Sequence, residues 1–378
     1  MSIFQRSHLK STEVLREAQE DMFHRLFRQS YPPLDWIQVE ISSFCDGECI
    51  YCPHTEYRRN WESRILPMEL YLKIVPAFKK TELVHLQGWG EPFTHPDFSD
   101  FLRLAKEAGC TVGTTTNGTL IDSEKIRELV DKGLDIICFS LAGIDEKNDE
   151  IRKGTQIRKV LKSIEEIHRI KNSCSVDNPR VHMAYMLLRS GLDDVDKIPA
   201  FAKDAGVSQT VVSSLFLPVN PAMEKESVLA ADDEEYRELM DRFREIRNDA
   251  ERRGTEISFN IVSHFAEKSI CPENVGRALV VGSDGCVSPC VMGQIPVEGD
   301  NEFYFKGDRR TIETLSFGNI CDETINTVWN KKEYKSFVRE LSRGNTEHIC
   351  RYCPKCFTSD LQSVDSSYLG LPIDLVRV

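Results

Sequence analysis

The segment DWIQVEISSFCDGECIYCPH, residues 35–54, joins an alternating strand pattern to a loop that carries three cysteines. Apolar and polar residues alternate between positions 37 and 41, which predicts a half-buried β-strand. Cys45, Cys49 and Cys52 follow with the spacing Cys-x3-Cys-x2-Cys. A structural zinc site needs four ligands and a disulfide needs two thiols. The loop therefore predicts a different kind of site, one that takes three thiolates from one short stretch of chain.

A strand–helix rhythm continues from this loop to about residue 220. Five more strand patterns lie at 83–87, 110–117, 135–143, 180–188 and 210–217. Apolar strands that alternate with amphipathic helices predict a parallel sheet covered by helices. Six such units are fewer than the eight of a closed barrel, so the predicted fold class is α/β, a partial (β/α)6 TIM-like barrel. Its functional side chains are expected at the C-terminal ends of the strands.

The composition argues against two functional classes. The chain has 378 residues, of which 29% are charged, and its formal net charge is −12. Because no dense Lys/Arg tract occurs, we predict no nucleic-acid partner. No apolar run is long enough to cross a membrane, so we predict no membrane partner. The N-terminus is polar and has no apolar region of a signal peptide, which predicts a cytoplasmic protein.

The cysteines mark the predicted domains. Ten of the 13 cysteines lie in two groups, one in the loop above and one between positions 271 and 356. The other three, Cys110, Cys138 and Cys174, are interpreted as small buried hydrophobes. After about residue 264 the helices shorten and the turns multiply. We therefore predict an N-terminal helical extension at 1–34, a barrel at 35–260 and a small cysteine-rich domain at 261–378.

The three-cysteine loop after a first strand resembles the signature of the radical SAM superfamily. In that family Cys45, Cys49 and Cys52 would bind three irons of a [4Fe–4S] cluster, and the fourth iron would bind S-adenosylmethionine (SAM). The resemblance implies an enzyme that reductively cleaves SAM to a 5′-deoxyadenosyl radical, which abstracts hydrogen from a substrate. The alternative for the loop is zinc, or unrelated cysteines.

Two further segments near the first strands resemble the SAM site of that family. Tyr51 matches an aromatic residue that lies against adenine, and its alternative is loop packing. GWGEP (88–92) resembles a GGEP motif that meets the SAM amino group, which would make Gly88, Gly90 and Glu91 cofactor-binding residues. Trp89 departs from GGEP, although the flanking glycines still permit close approach of the backbone.

Two later strand ends complete the resemblance. Asn117, in TTTNG, is expected on the cofactor side, and a simple turn at the end of the strand is the alternative. Ser140 matches a serine that contacts the SAM ribose. Arg152 matches an arginine that pairs with the SAM carboxylate, because a guanidinium can donate two parallel hydrogen bonds to it. Its alternative is a surface salt bridge.

The C-terminal cysteines resemble the SPASM and twitch extensions of radical SAM enzymes, which bind auxiliary [4Fe–4S] clusters. ALVVGSDGCVSPC is predicted to form a hairpin that turns at Asp284–Gly285. The predicted ligands of one auxiliary cluster are Cys271, Cys290, Cys350 and Cys353, with Cys356 as the competing fourth ligand. For Cys286, a ligand role and burial in the strand are equal alternatives. Cys321 is interpreted as structural. A zinc ribbon is the alternative.

The favoured function is an oxidoreductase that matures a peptide, a protein or an enzyme cofactor. The GWGEP variant and the C-terminal tail also resemble proteins proposed to mature tungsten-cofactor oxidoreductases. One alternative is a twitch-type small-molecule dehydrogenase, in which the auxiliary cluster accepts an electron. Another is a non-catalytic iron–sulfur or zinc-binding protein. The expected reductant is a ferredoxin or flavodoxin, and the substrate, whether peptide, protein or small molecule, cannot be read from the sequence.

Overall fold

A computed structural model describes residues 33–261, 273–299, 301–312 and 314–343. Its strands, in chain order, are β1 Leu34–Val39, β2 Glu48–Cys49, β3 Thr81–Leu86, β4 Thr111–Thr116, β5 Ile136–Leu141, β6 Arg152–Lys153, β7 Arg180–Leu187, β8 Gln209–Ser214, β9 Glu256–Asn260, β10 Ala278–Val281, β11 Cys286–Ser288, β12 Asn301–Phe305, β13 Asp308–Ile312 and β14 Gly318–Asn319.

The central sheet confirms the predicted fold class. Within the described ranges it has the strand order β14-β11-β10-β1-β3-β4-β5-β7-β8-β9. The six predicted strands are β1, β3, β4, β5, β7 and β8, and they are parallel neighbours in that order. β9 and β10 extend the parallel run at its two edges, and neither was predicted as part of the barrel. The result is a parallel, partial TIM-like barrel.

The helices follow the strands and cover the outer face of the sheet. They are α1 Pro53–Glu56, α2 Met68–Phe78, α3 Phe98–Glu107, α4 Ser123–Asp131, α5 Lys147–Ile151, α6 Ile157–Cys174, α7 Ile198–Asp204, α8 Pro221–Glu226, α9 Asp233–Arg253, α10 Ile325–Trp329 and α11 Lys332–Ser342. In α3 the buried residues Phe98, Phe101, Leu102 and Ala105 recur at helical spacing, which gives one apolar face. Short 3₁₀ helices lie at Pro92–Thr94, Arg189–Lys197 and Val291–Gly293.

The two faces of β1 differ, and this difference positions the site. Ile37 and Val39 belong to the main apolar core. Trp36 points to the other face and packs in a separate cluster with Leu83. Because side chains alternate along a strand, the residues that continue this second face are Gln38 and then Glu40, just beyond the strand. The interior of the barrel is therefore apolar at one end and polar at the end that faces the cysteine loop.

The cysteine-rich region is joined to the barrel by sheet pairing. β10 pairs in parallel with β1, with Trp36 opposite Ala278. β10 and β11 form the predicted antiparallel hairpin, and Gly285 in its turn has φ +82°. Asn319, in the FGNI segment, then pairs with Cys286 on the other side of β11. Strands from both sides of residue 260 share one sheet. The predicted domain boundary at this residue stays a prediction.

The three isolated cysteines test the prediction that each of them is buried. Cys110 and Cys138 are buried, as predicted. The prediction for Cys174 is wrong, because it is the last residue of α6 and its side chain is exposed. The predicted N-terminal helix lies outside the described residues. None of the helices that the structure describes is long and apolar enough to span a membrane.

Candidate active site

The predicted SAM-site residues surround one cavity at the C-terminal ends of the strands. Its volume is about 290 Å³. Among its lining residues are Cys45, Cys49, Tyr51, Cys52, Gly88, Gly90, Glu91, Asn117, Ser140 and Arg152. These residues come from five separate segments of the sequence. The fold therefore brings together the thiols, the arginine and the polar strand ends that the sequence placed apart.

A small two-stranded sheet holds the cysteine loop against Arg152. β2 pairs with β6, and Cys49 lies directly opposite Arg152. The backbone N–H of Ile50 donates to the carbonyl of Ile151 at 2.9 Å. Because main-chain pairing fixes the two strands, the guanidinium stays close to the cysteine loop. The sequence did not reveal this pairing, since each strand is only two residues long.

Arg152 is buried, although an arginine is among the residue types least often buried. Its exposed fraction is 6%. One terminal nitrogen, Nη1, donates to the hydroxyl of Tyr51, while Nε has no hydrogen-bond partner among the described residues. The surface-salt-bridge interpretation is therefore wrong. Arg152 also lines the cavity, and an anionic group in the cavity would pair with its guanidinium.

The three thiols are the type of donor that an iron–sulfur cluster binds. Cys49 is buried, and Cys45 and Cys52 are partly exposed in the same cavity wall. Burial raises the pKa of Cys45 and of Cys52 to about 12, so these thiols carry no charge until a cation binds them. A Cβ at Gly47 would lie 3.6 Å from Sγ of Cys45 and 3.9 Å from Sγ of Cys49. Gly47 thus lies beside two of the sulfurs.

Glu91 is a hub of internal hydrogen bonds. Its carboxylate accepts from Oγ1 of Thr116 at 2.8 Å, from the N–H of Asn117 at 2.7 Å and from the N–H of Phe93 at 3.3 Å. Burial raises the pKa of Glu91 to about 7. The side chain therefore fixes the end of β4 against the GWGEP loop. A carboxylate has about four acceptor sites, so one site can still face the cavity.

Asn117 forms the turn at the end of the strand that was its alternative interpretation, and it also lines the cavity. Its Oδ1 accepts from the N–H of Thr119 at 2.8 Å, which closes an Asx-type turn. Its Nδ2 donates to Oδ1 of Asp46 at 2.7 Å and lies 4.0 Å from Sγ of Cys45. Asn117 therefore links the end of β4 to the cysteine loop. Ser140, near the end of β5, is partly exposed and lines the same cavity.

The two glycines of GWGEP are required by close backbone approach. A Cβ on Gly90 would lie 2.4 Å from the carbonyl oxygen of Ser42 and 2.5 Å from that of Phe44. A Cβ on Gly88 would lie 2.2 Å from Cγ of Glu40. Contacts below 3 Å are far inside van der Waals distance. The glycines thus let the loop pack directly on the chain that leads from β1 to the cysteines.

Sequence reasoning missed Glu40. It is 4% exposed, its Oε1 accepts from the N–H of Trp89 at 2.7 Å, and its Oε2 accepts from Oγ of Ser283 at 2.9 Å. Glu40 therefore connects the barrel, the GWGEP loop and the β10–β11 hairpin. A signal was present in the sequence, since an acidic residue continues the inward-facing positions of a strand. Its two partners lie 49 and 243 residues away and could not be inferred.

Replacing Glu40 with glutamine should change how stability depends on pH. Burial, and to a smaller extent Asp284, raises the pKa of Glu40 from 4.5 to about 7. The protonated form is thus favoured in the folded state, and this stabilising contribution is lost as the pH rises from 4.5 through about 7. Glutamine does not ionise. The unfolding free energy of E40Q relative to wild type should therefore grow by about 3 kcal/mol between about pH 4.5 and pH 8.

Denaturant unfolding at several pH values measures this difference. Glu82→Gln, at an exposed position of β3, is the matched control and should track the wild type. Any constant effect of the substitution cancels, because only the change with pH is compared. A pH-independent difference between E40Q and wild type would show that Glu40 ionises normally in the fold.

The C-terminal cysteines are only partly described. Cys271, Cys350, Cys353 and Cys356 lie outside the described residues, so their predicted ligand roles stay predictions. Cys290 and Cys286 are partly exposed on the hairpin, and Cys321 is exposed. Nδ2 of Asn319 lies 3.4 Å from Sγ of Cys286. The Cys286 side chain is therefore hydrogen-bonded to Asn319 of β14 and is not sealed in an apolar core.

Comparison with known proteins agrees with this site. The Radical SAM superfamily model matches residues 39–198, and the SPASM model, an iron–sulfur cluster-binding domain, matches residues 271–356. The chain belongs to the radical SAM superfamily. More particularly, it is an enzyme of the group that carries a SPASM domain, and its cofactors are SAM, a SAM-binding [4Fe–4S] cluster and auxiliary iron–sulfur. The non-catalytic alternative is thus wrong.

The chain is similar to two relatives and to one solved structure. It is 24% identical over 326 residues to the tungsten-containing aldehyde ferredoxin oxidoreductase cofactor-modifying protein of Pyrococcus furiosus, covering 85% of this chain and 87% of that protein. It is 21% identical to the PqqA peptide cyclase of Gluconobacter oxydans, covering 79% and 77%. Streptococcus suis SuiB bound to S-adenosylmethionine has the same fold, with a TM-score of 0.59 and 15% identity, over 93% of this chain and 82% of that one.

Proposed function

We propose that Cys45, Cys49 and Cys52 bind the SAM-binding cluster and that Arg152 binds the SAM carboxylate. The observation that carries this proposal is the buried Arg152, which lies opposite Cys49 and lines the same cavity as the three cysteines. A guanidinium can satisfy a carboxylate with two parallel hydrogen bonds. When bound, the cluster supplies the electron that cleaves SAM to a 5′-deoxyadenosyl radical.

The other lining residues then divide into contacting and supporting groups. We assign Tyr51 to the adenine side and Ser140 to the ribose, since both line the cavity. Glu91 keeps one acceptor for the SAM amino group while its other hydrogen bonds hold the loop. Gly88 and Gly90 bring the backbone of the loop to the cavity, and Asn117 braces the cysteine loop from the end of β4. The residues of the chain would thus orient SAM in the cavity.

The substrate class that the site supports best is a peptide, a protein or an enzyme cofactor. The two relatives support this class, because one is a cofactor-modifying protein and the other a peptide cyclase. We propose that Cys290, together with Cys271, Cys350, Cys353 or Cys356, binds an auxiliary cluster in the SPASM domain. A ferredoxin or flavodoxin would supply the electron. We propose a cytoplasmic location, where such reductants and reduced thiols are found.

Isotope transfer tests the substrate class. Cells that express the protein are grown in deuterated medium, and their extract is separated into a macromolecular and a small-molecule fraction. Each fraction is then incubated with unlabelled SAM, a reductant and the reconstituted enzyme. Deuterium in 5′-deoxyadenosine reports the fraction from which hydrogen was abstracted. We expect label from the macromolecular fraction, where proteins, peptides and protein-bound cofactors remain.

Two results would count against this proposal. Label from the small-molecule fraction alone would favour the dehydrogenase, for which the auxiliary cluster would be the electron acceptor. Formation of 5′-deoxyadenosine without label from either fraction would mean that neither fraction contains the substrate class that this cavity accepts. A parallel incubation with unlabelled extract, in buffer brought to the same residual D₂O content, controls for deuterium that arrives from solvent.

A further inference from the structure

Trp89 connects the SAM cavity to the cysteine-rich region. It lines the cavity, and its indole Nε1 donates to the carbonyl oxygen of Val291 at 3.1 Å. Val291 directly follows Cys290 and begins the short 3₁₀ helix Val291–Gly293. Trp89, which departs from the glycines of GGEP, thus makes a contact that spans 202 residues of sequence. A glycine at this position could not make it.

The backbone of Trp89 is anchored separately. Its N–H donates to Oε1 of Glu40 at 2.7 Å, and the other oxygen of Glu40 accepts from Oγ of Ser283 at 2.9 Å. Ser283 lies in the turn between β10 and β11. The hairpin is therefore attached to the GWGEP loop through a buried carboxylate, while the segment after the hairpin is attached through the indole.

The indole also packs in an apolar cluster that is separate from the main core. The buried members of this cluster are Trp61, Leu217, Val219, Met292, Ile295, Phe303 and Phe305, and Trp89, Cys290 and Val291 pack against it. Its members come both from the barrel part of the chain and from the C-terminal part. A close-packed cluster transmits small displacements, because it has few voids in which a shift can be absorbed. A ligand that presses on one face of Trp89 therefore acts on the segment that carries Cys290.

We propose that Trp89 is a positioning residue that sets the segment carrying Cys290 against the SAM cavity, so that SAM binding orders residues 286–295. This inference rests on the proposed function, since it takes SAM as the occupant of the cavity. The coupling is reciprocal, as for any two linked binding equilibria. Order in the Cys290 segment, and hence at the auxiliary site, would in turn strengthen SAM binding.

Hydrogen exchange on the full-length, anaerobically reconstituted protein tests this coupling. In the wild type, saturating SAM should slow amide exchange in residues 286–295 by about 5-fold, the effect of roughly one added hydrogen bond. Trp89→Phe keeps an aromatic ring but removes the donor to Val291. It should lower the SAM-induced slowing to less than about 2-fold, measured at a SAM concentration that saturates the variant.

Trp36→Phe is the control, because Trp36 is a buried tryptophan at the opposite end of the barrel and its Nε1 has no partner among the described residues. It should retain the wild-type response. Equal slowing in Trp89→Phe and wild type would overturn the inference. So would wild-type protein that binds SAM without any change at 286–295, a result that needs no variant. Failure of the wild type to bind SAM at all would instead refute the proposed function.

Discussion

Cys49→Ala is expected to lose 5′-deoxyadenosine formation down to the level of a reaction without enzyme. Cys49 is 8% exposed and lies opposite Arg152 in the β2–β6 pair. Its removal would leave an iron of the cluster without its thiolate, next to the site at which SAM binds. The variant should also contain about four fewer irons per chain than the wild type after reconstitution. Product formation is measured with dithionite as the reductant, which removes any dependence on a protein partner.

The control for Cys49→Ala is Cys174→Ala. Cys174 is exposed at the end of α6 and lines no part of the cavity. This variant should keep the wild-type iron content and the wild-type rate. SAM cleavage by Cys49→Ala at the wild-type rate would show that the Cys-x3-Cys-x2-Cys loop does not hold the catalytic cluster. The iron content then tells whether the cluster formed elsewhere or retained its place on two cysteines.

Arg152→Gln should weaken SAM binding by about 10- to 100-fold, because a hydrogen bond to a charged group contributes about 1.5–3 kcal/mol. Glutamine is shorter and neutral, so it cannot supply the paired donors of the guanidinium. The loss should appear in the dissociation constant for SAM, measured by equilibrium dialysis with the cluster oxidised. Iron content should change little, since Arg152 carries no ligand atom.

Two further variants separate the possible causes of that loss. Arg158→Gln is the matched control. Arg158 lies six positions after Arg152, its side chain is 85% exposed, and it pairs with Glu146 on the surface. It should bind SAM as the wild type does. Tyr51→Phe removes the hydroxyl that accepts from Arg152, but it leaves the guanidinium in place. Wild-type SAM affinity in Arg152→Gln would mean that another group binds the carboxylate.

The barrel could be predicted because its strands and helices have local patterns. β3, β4, β5, β7 and β8 have strand patterns between amphipathic helices, and each pairs with a strand close to it in the sequence. β9 and β10 escaped this reasoning. β10 was predicted only as part of a hairpin, and its pairing with β1 joins residues 36 and 278. The local pattern of each segment does not indicate such a distant partner, so propensity and spacing do not reveal the pairing.

The candidate site shows the same division. The resemblance to the radical SAM family pointed to the three thiols, to Arg152 and to the glycines near the strand ends, because these positions match the motifs of that family. That Arg152 is buried opposite Cys49, that Cys174 is exposed, and that Asn117 braces the loop through Asp46 all depend on which segments meet in space.

The resemblance of the motifs to a known family is thus sufficient for the class of chemistry, and the local strand and helix patterns are sufficient for the parallel barrel. The role of Trp89 is different. As a sequence feature it is a departure from GGEP, and in the fold it contacts Val291 and shares an anchor with Ser283 through Glu40. Hydrogen bonds and packing act over a few ångströms, whatever the separation along the chain. Contacts between segments more than 200 residues apart therefore exist only once the sheet has brought those segments together.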